Sequence, residues 1–479
     1  MCIAPTPREM AKLASIATVM LLLLLTNWIS QEKKFQADRR WLFSSRFLGR
    51  KAFPLFQRDH CQGKRVYIHP LPPQFNRQIL ERACCGSSQT PITWMCDRLG
   101  NHGLGLPARV ITPPTSNDSG ALDSLQFPGE MASLVSSCRL LPASSWYRTG
   151  QFAVEIMIHE RFRRYQCLTD DPHLANLFYI PYYAGLDVSQ YLFTKQVQMR
   201  DKLGQRLLGY LQGNRHWNRK RGRDHVLVLG RIVWDFGRSE ENHESWGSSL
   251  LSIQELDNAT KLLIERDVWR SSQMALPYPT GFHPDSRREI DEWLAVVNGS
   301  SRDLLVSFAG ALRDGNGSTA TMRRSLRRQC QRHESLCTIL RCERINCEEN
   351  PEIVTCVALR SIFCLMPPGD SPTRKGFFDG LVAGCIPVVF SEHTAYTQYL
   401  WHLPRDPESY SIFFPHHSVI DGSIDVIQEL ARIPAARVTS MQDAVARIIP
   451  RIIYAKSSLD GYPDAFDIAL EKLLVAQEP

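Results

Sequence analysis

The sequence predicts an α/β protein built on two parallel sheets, and three observations lead there. Residues 361–390 (SIFCLMPPGDSPTRKGFFDGLVAGCIPVVF) read as strand, turn, helix and strand in one uninterrupted stretch. Residues 176–230 repeat the alternation: an apolar strand at 176–181 (NLFYIP), a helical stretch to about Trp217, and a further strand at Val226–Gly230. At 479 residues the chain also exceeds what one core ordinarily serves, so two domains plus N-terminal extras account for its length. Strands that alternate with helices form parallel sheets, because a parallel connection needs a crossover long enough to hold a helix.

Within 361–390, Ser361–Met366 is an apolar strand and Ile386–Phe390 is a continuous β-rich run, as in a strand buried on both faces. Pro367-Pro368-Gly369 breaks the chain, and Asp370-Ser371 is expected to cap a helix that begins near Pro372. Gly384 is a natural helix C-cap, and Pro387 is tolerated early in a strand. Open parallel sheets bind ligands at the carboxyl ends of their strands. The free amides of that helix start, with Ser371, Thr373, Arg374 and Lys375 beside them, suit a diphosphate, and Asp379 can take ribose hydroxyls. The plainer alternative is a core unit whose loop happens to be basic, since no G-x-G-x-x-G or P-loop is present.

Taken in order, residues 1–12 are a short tail and 13–29 (LASIATVMLLLLLTNWI) an uncharged apolar segment of roughly membrane-spanning length. A poor cleavage site follows it, which favours an uncleaved anchor over a signal peptide. Residues 30–60 are polar and basic and suit a stem. Folding resumes at Cys61 with a strand at Arg65–His69, and 100–130, rich in Gly, Pro, Ser and Asn, read as a long loop. Residues 151–165 (QFAVEIMIHERFRRY) have helical spacing, and their late arginines favour the helix's carboxyl end. The division is then 61–295 for an N-terminal domain and 300–479 for a C-terminal one, whose final helix is expected to pack back on the other domain.

Four acceptor triplets, at Asn117, Asn258, Asn298 and Asn316, together with fourteen cysteines, fit an oxidising secretory lumen. Thirteen cysteines lie beyond the apolar segment, an odd number, so at least one thiol there is expected unpaired. Cys330, Cys337, Cys342, Cys347 and Cys356 cluster without a C-x-x-C pair, which argues for one or two disulfides and against zinc. The net charge of +7 is spread along the chain, so runs such as 215–223 and 323–328 read as solvated faces or anion sites rather than nucleic-acid contacts.

A second constellation surrounds Val226–Gly230. Arg223–His225 begin the strand, and Arg231-Ile232-Val233-Trp234-Asp235-Phe236 emerge from its carboxyl end, where Asp235 can act as a general base and Trp234 can stack on a sugar. Asp187 and His159 are further candidates for the base. Glu155 reads equally as an ion-pair partner of Arg161 or Arg164.

Nine blocks, among them HPLPPQFN, LFYIPYYAGLD, GRDHVLVLGRIVWDF, PYPTGFHP and FCLMPPGDSPTRKGFFDGLVAGCIPVVF, occur in an order that resembles plant exostosin-like glycosyltransferases, in particular the xyloglucan galactosyltransferase branch. The resemblance runs from about Cys61 to about Asp467. It implies a GT-B fold of two Rossmann-like domains in a Golgi type II membrane enzyme with a lumenal catalytic part. It implies inverting transfer from a UDP-sugar, galactose by preference, to xylose side chains of xyloglucan, without a metal. The lack of a D-x-D triplet agrees with that. Galacturonic acid or arabinose are alternative donor sugars, and a non-catalytic glycan-binding homologue is the alternative to an enzyme. A glycoside hydrolase would need two carboxylates flanking one bond, which the basic loop does not suggest. On this reading Ser371, Thr373, Arg374 and the helix amides hold the diphosphate, Arg231 reaches across the cleft, and Asp379 takes the ribose. Departures include Asp379, where distant relatives carry glutamate, and Lys375-Gly376-Phe377, where a more helix-friendly turn is expected.

Overall fold

The computed structural model describes residues 60–85, 92–108, 145–239, 246–311, 315 and 317–477. The apolar segment, the stem, Asn117, Asn316 and most of the 100–130 loop lie outside them. Among the described residues no helix is long and apolar enough to cross a membrane. Residues from Gly63 onward form one unit, to which the following description refers.

Two five-stranded sheets, parallel throughout, carry the fold. The first contains β1 (Val66–Ile68), β2 (Leu177–Ile180), β3 (His225–Ile232), β4 (Thr260–Glu265) and β5 (Gln273–Ala275), in spatial order 1-2-3-4-5. The second contains β6 (Leu304–Gly310), β7 (Cys337–Arg341), β8 (Ser361–Met366), β9 (Ile386–Val389) and β10 (Ile412–Phe413), in order 10-9-8-6-7. The orders differ in a way that matters for binding. The first sheet adds strands in one direction only. In the second the chain leaves β6 for β7 on one side and then crosses to β8 on the other, which opens a crevice between the carboxyl ends of β6 and β8.

The crossover helices are α1 (Val154–Arg163), α2 (Ala184–Ser189), α3 (Met199–Gln212) and α4 (Arg215–Lys220) in the first half. The single helix expected up to Trp217 is therefore three, with Asn214 capping the last through its side chain. In the second half come α5 (Arg287–Gly299), α6 (Ser318–Arg332), α7 (Pro351–Arg360), α8 (Lys375–Val382), α9 (Ala435–Ile452) and α10 (Ala465–Val475). Strands β2 and β9 are buried at every residue, which accounts for their unbroken apolar runs.

One expectation needs correction at α8. It starts at Lys375, not near Pro372, its N-cap is Arg374, and no side chain caps it, so Asp370 and Ser371 do not serve as caps. Thr373, next to that N-cap, is held by a partner on another strand, described below. The other end behaves as expected: Gly384 has φ +69°, and a Cβ there would strike Val297 and Arg302.

The last helix does return to the first half. Arg161 in α1 is paired with Asp464 and Asp467, its guanidinium lies 4.6 Å from the Phe466 ring centre, and Phe162 meets Phe466 edge to face. Glu155 consequently has no part in pairing Arg161, contrary to the alternative read from sequence. All twelve described cysteines are disulfide-bonded, Cys330 to Cys337, Cys342 to Cys347, Cys84 to Cys96 and Cys364 to Cys385 among them. The unpaired thiol expected from the odd count is not among the described residues.

Candidate functional site

The carboxyl end of β4 meets the loop after β8 through Glu265 and Thr373, and a cavity of about 220 Å³ lies at the carboxyl ends of β6 and β8, in the cleft between the two halves. Its floor in the second half is the crevice between β6 (Ser307, Ala309) and β8 (Cys364, Leu365, Met366), together with the first turns of α8 (Lys375, Gly376, Asp379, Gly380). Residues 146–152 of the first half cover it, with Trp94 and Arg98 at one side. Topology explains the position: the cavity sits at the switch point of the second sheet.

Of the residues predicted to hold a donor, Asp379 lines this cavity. Its two oxygens accept from Lys375 Nζ at 2.6 and 2.9 Å, one helical turn away. Burial raises its carboxyl above the ordinary range, and Lys375 pulls it back. Lys375, read from sequence only as part of the basic loop, lines the cavity, as Arg98 and Arg148 do.

Ser371, Thr373, Arg374 and Arg231 do not line the cavity wall. Thr373 is only 3 % exposed. Its backbone N–H and its hydroxyl donate to Glu265 Oε2, at 3.1 and 2.5 Å, and Tyr278 donates to that hydroxyl at 3.0 Å. The hydroxyl therefore ties the β8 loop to the end of β4 instead of facing a diphosphate. Arg374 folds over Gly369, where a Cβ would fall on its guanidinium. Thr319 and Arg323 of α6 brace the same loop through the carbonyls of Gly369 and Pro368. Beside this junction, Arg266 and Gln398 exchange hydrogen bonds, and Tyr399 donates to the Ile264 carbonyl. Glu265 and Tyr278 were missed in the sequence because their only signal is a partner more than ninety residues away.

The carboxylates proposed as base lie behind the first-half wall. Asp235 is 2 % exposed, and its oxygens accept from Arg231 Nε and Trp246 Nε1, both at 2.6 Å. Arg231 also donates to Ser189 Oγ, and its guanidinium lies 4.0 Å from the centre of the Phe152 ring, itself part of the cavity wall. The Asp235–Arg231–Phe152 chain thus runs from the end of β3 to the cavity. Asp187 is buried, accepts from the Tyr182 hydroxyl at 2.8 Å, and is pushed up to about 7 by burial. His159 contacts the Tyr183 hydroxyl at 2.9 Å, and burial lowers its ring to about 4. Neither lines the cavity.

Glu155 has the least expected setting. Fully buried, it accepts from the backbone N–H groups of Gly185, Leu186 and Gly230, so it clasps the start of α2 to the end of β3. Burial outweighs those three donors and pushes it up to about 8. Gly185 and Gly230 are needed for the close approach, since a Cβ on either would press on the Glu155 side chain.

Arg98 and Arg148 of the first half pair with Glu348 and Glu349 of the second, next to the Cys342–Cys347 loop. These pairs bridge the cleft where Arg98, Arg148 and Glu348 line the cavity.

A two-sheet α/β protein with a ligand-sized cleft at a switch point is the class this fold and site define. The Exostosin GT47 domain matches residues 60–430, and the chain belongs to that family. It is 37% identical over 420 residues to the xyloglucan galactosyltransferase MUR3 of Arabidopsis thaliana, covering 87% of this chain and 62% of that protein. It is 36% identical over 416 residues to the xyloglucan galactosyltransferase XLT2 of the same plant, covering 86% and 75%. Similarity extends to xyloglucan-specific galacturonosyltransferase 1, also from Arabidopsis, at 34% over 448 residues, covering 93% of this chain and 60% of that one. The chain thus spans less than two thirds of MUR3 and of the galacturonosyltransferase. Among solved structures, Arabidopsis UGT89C1 complexed with quercetin is a distant likeness: 10% identity, TM-score 0.28, covering 86% of this chain and 99% of that one.

Proposed function

We propose that this protein is an inverting, GT-B-type glycosyltransferase that moves galactose from UDP-galactose to xylose side chains of xyloglucan. The observation that carries the reading is the cavity at the switch point of the second sheet, walled by Lys375 and Asp379, in a chain of the exostosin GT47 family. Uridine and ribose would occupy the crevice between β6 and β8, with Asp379 on the ribose hydroxyls. The diphosphate would meet the amino end of α8, Lys375, and Arg231 drawn towards the cavity past Phe152.

That movement gives the two substrates an order. While Arg231 holds Asp235, the carboxylate has a cation on one oxygen and Trp246 on the other. A diphosphate that competes for Arg231 would free one oxygen to accept the proton of the acceptor hydroxyl. The hydroxyl oxygen then bonds to the sugar's anomeric carbon from the face opposite UDP, the bond to the diphosphate oxygen breaks, and configuration inverts. With the leaving charge met by cations and helix amides, we propose that no metal is required. Unchanged turnover in a chelator would agree, and loss restored by a divalent ion would count against it.

The galacturonosyltransferase relative raises a second donor. The cavity's Arg98 and Arg148 are already committed to Glu348 and Glu349, so a uronate would meet paired cations and nearby carboxylates, and a neutral sugar fits better. Incubating the protein with xyloglucan oligosaccharides and a panel of UDP-sugars, read by mass, should add one hexose from UDP-galactose. Addition only from UDP-galacturonic acid or a UDP-pentose would replace the donor, and no addition from any would leave a glycan-binding homologue.

The same proposal places residues 13–29 as a Golgi type II signal anchor with the remainder lumenal. Asn258 and Asn298 are exposed, as glycan acceptors must be. A mobility shift on peptide N-glycosidase treatment, reduced in Asn258→Gln and Asn298→Gln, tests it. The absence of any shift would argue against lumenal exposure.

A further inference from the structure

Five tryptophan or phenylalanine side chains among the described residues are exposed: Trp94, Phe193, Trp234, Trp269 and Phe413. Their placement is not scattered. Trp94 lines the cleft cavity, Trp234 and Trp269 follow the carboxyl ends of β3 and β4, Phe193 lies beyond α2, and Phe413 ends β10. In the first sheet, parallel throughout, the carboxyl ends of β3 and β4 share one edge, so Trp234 and Trp269 emerge on the same side.

Three of them, Phe193, Trp234 and Trp269, belong to segments that follow strands of the first sheet. Ile232 and Glu265 are register partners on adjacent strands β3 and β4. Trp234 leaves β3 two residues beyond that pair and Trp269 leaves β4 four residues beyond it, 66 % and 89 % exposed. Adjacent strands lie about 4.8 Å apart, so the two segments begin side by side. Phe193, 83 % exposed, packs edge to face on Trp246 at 5.2 Å, and Trp246 donates to Asp235, the neighbour of Trp234. The group also borders the donor side, because Glu265 holds Thr373, two residues ahead of α8.

Single exposed rings are ordinary on a protein surface, whereas several rings on neighbouring segments mark a candidate contact for a partner. An ordinary protein-binding patch would be contiguous and apolar. Here single flat rings are interspersed with polar and charged residues (Asp267, Arg270), a pattern that matches a polymer of pyranose rings, apolar on the C–H faces and polar at the edges. We propose that Phe193, Trp234 and Trp269 form a stacking platform for the backbone of the polysaccharide acceptor, holding sugar units beyond the one that reacts. This rests on the glycosyltransferase reading above, and it makes length of acceptor a determinant of affinity.

The test uses Trp234→Ala, Trp269→Ala and the double variant, all at exposed positions where folding is not at stake. Binding of xyloglucan polymer by affinity electrophoresis, UDP affinity, and transfer to acceptors of increasing length are measured on each. Each substitution should weaken polymer binding about threefold to tenfold, the range for one lost ring contact. KM for long acceptors should rise alike, with kcat at saturation and UDP affinity retained and single-repeat acceptors little affected. Equal polymer binding by wild type and double variant would overturn the platform, as would an equal loss for the shortest acceptor. Because polymer binding is read without turnover, a protein that transfers no sugar yet loses binding in these variants would refute the enzyme reading while upholding the platform.

Discussion

Asp235 and Glu155 are both carboxyl groups buried at the end of β3, and their partners give them opposite characters. Asp235 is met by a guanidinium and an indole N–H, which fix both of its oxygens in place. Asp235→Asn should lower transfer about 10²- to 10⁴-fold, the usual contribution of a general base, with UDP bound as tightly or more tightly because an amide competes less for Arg231. Near-normal turnover would pass the role to another group. Glu155 is met by backbone amides alone and is pushed up to about 8 from 4.5. The folded state then holds a proton that the unfolded chain releases, so this group stabilises below its unfolded value and the stability is lost as pH rises through the folded one. Between about pH 5 and 8 the melting temperature of the wild type should fall more than that of Glu155→Gln. Parallel curves would mean Glu155 is ionised in the fold.

At the scale of elements, the β3 and β8 regions were legible because their alternation of apolar runs, Pro-Gly breaks and helical stretches is local. The start of α8 was not. Asp370-Ser371 reads as a cap, but the capping position is Arg374, and Thr373 beside it is held by Glu265 on another sheet, a partner no local pattern reveals. Two further elements make predictions. Helix α10 is fastened by Arg161, 6 % exposed, on Asp464, which is fully buried. Removing one partner of such a pair typically costs about 3–5 kcal/mol, so Arg161→Met should lower the melting temperature sharply and loosen α10 first in hydrogen exchange. A small change confined to Arg161's neighbours would contradict that fastening. The pairs of Arg98 and Arg148 with Glu348 and Glu349 are half-exposed on the acidic side and screened by salt. Glu349→Gln should leave stability nearly unchanged while quickening UDP association and flattening its dependence on salt. An unchanged association rate would show that UDP enters without parting them.

For the whole molecule, sequence pattern sufficed for two parallel sheets and for the return of the last helix, since both follow from periodicity and length. It did not reveal the order 10-9-8-6-7, and with it the switch point, because strand order depends on pairings between distant segments. That order is what places the cavity over Asp379 and Lys375 and leaves Thr373 in the seam between sheets. Titrating UDP into the wild type and into Asp379→Asn by calorimetry asks directly whether a nucleotide sits there. Losing a charge-assisted contact to ribose should raise the dissociation constant about tenfold or more, with melting temperature preserved. Equal UDP affinity in the two proteins would place the nucleotide elsewhere and contradict the account.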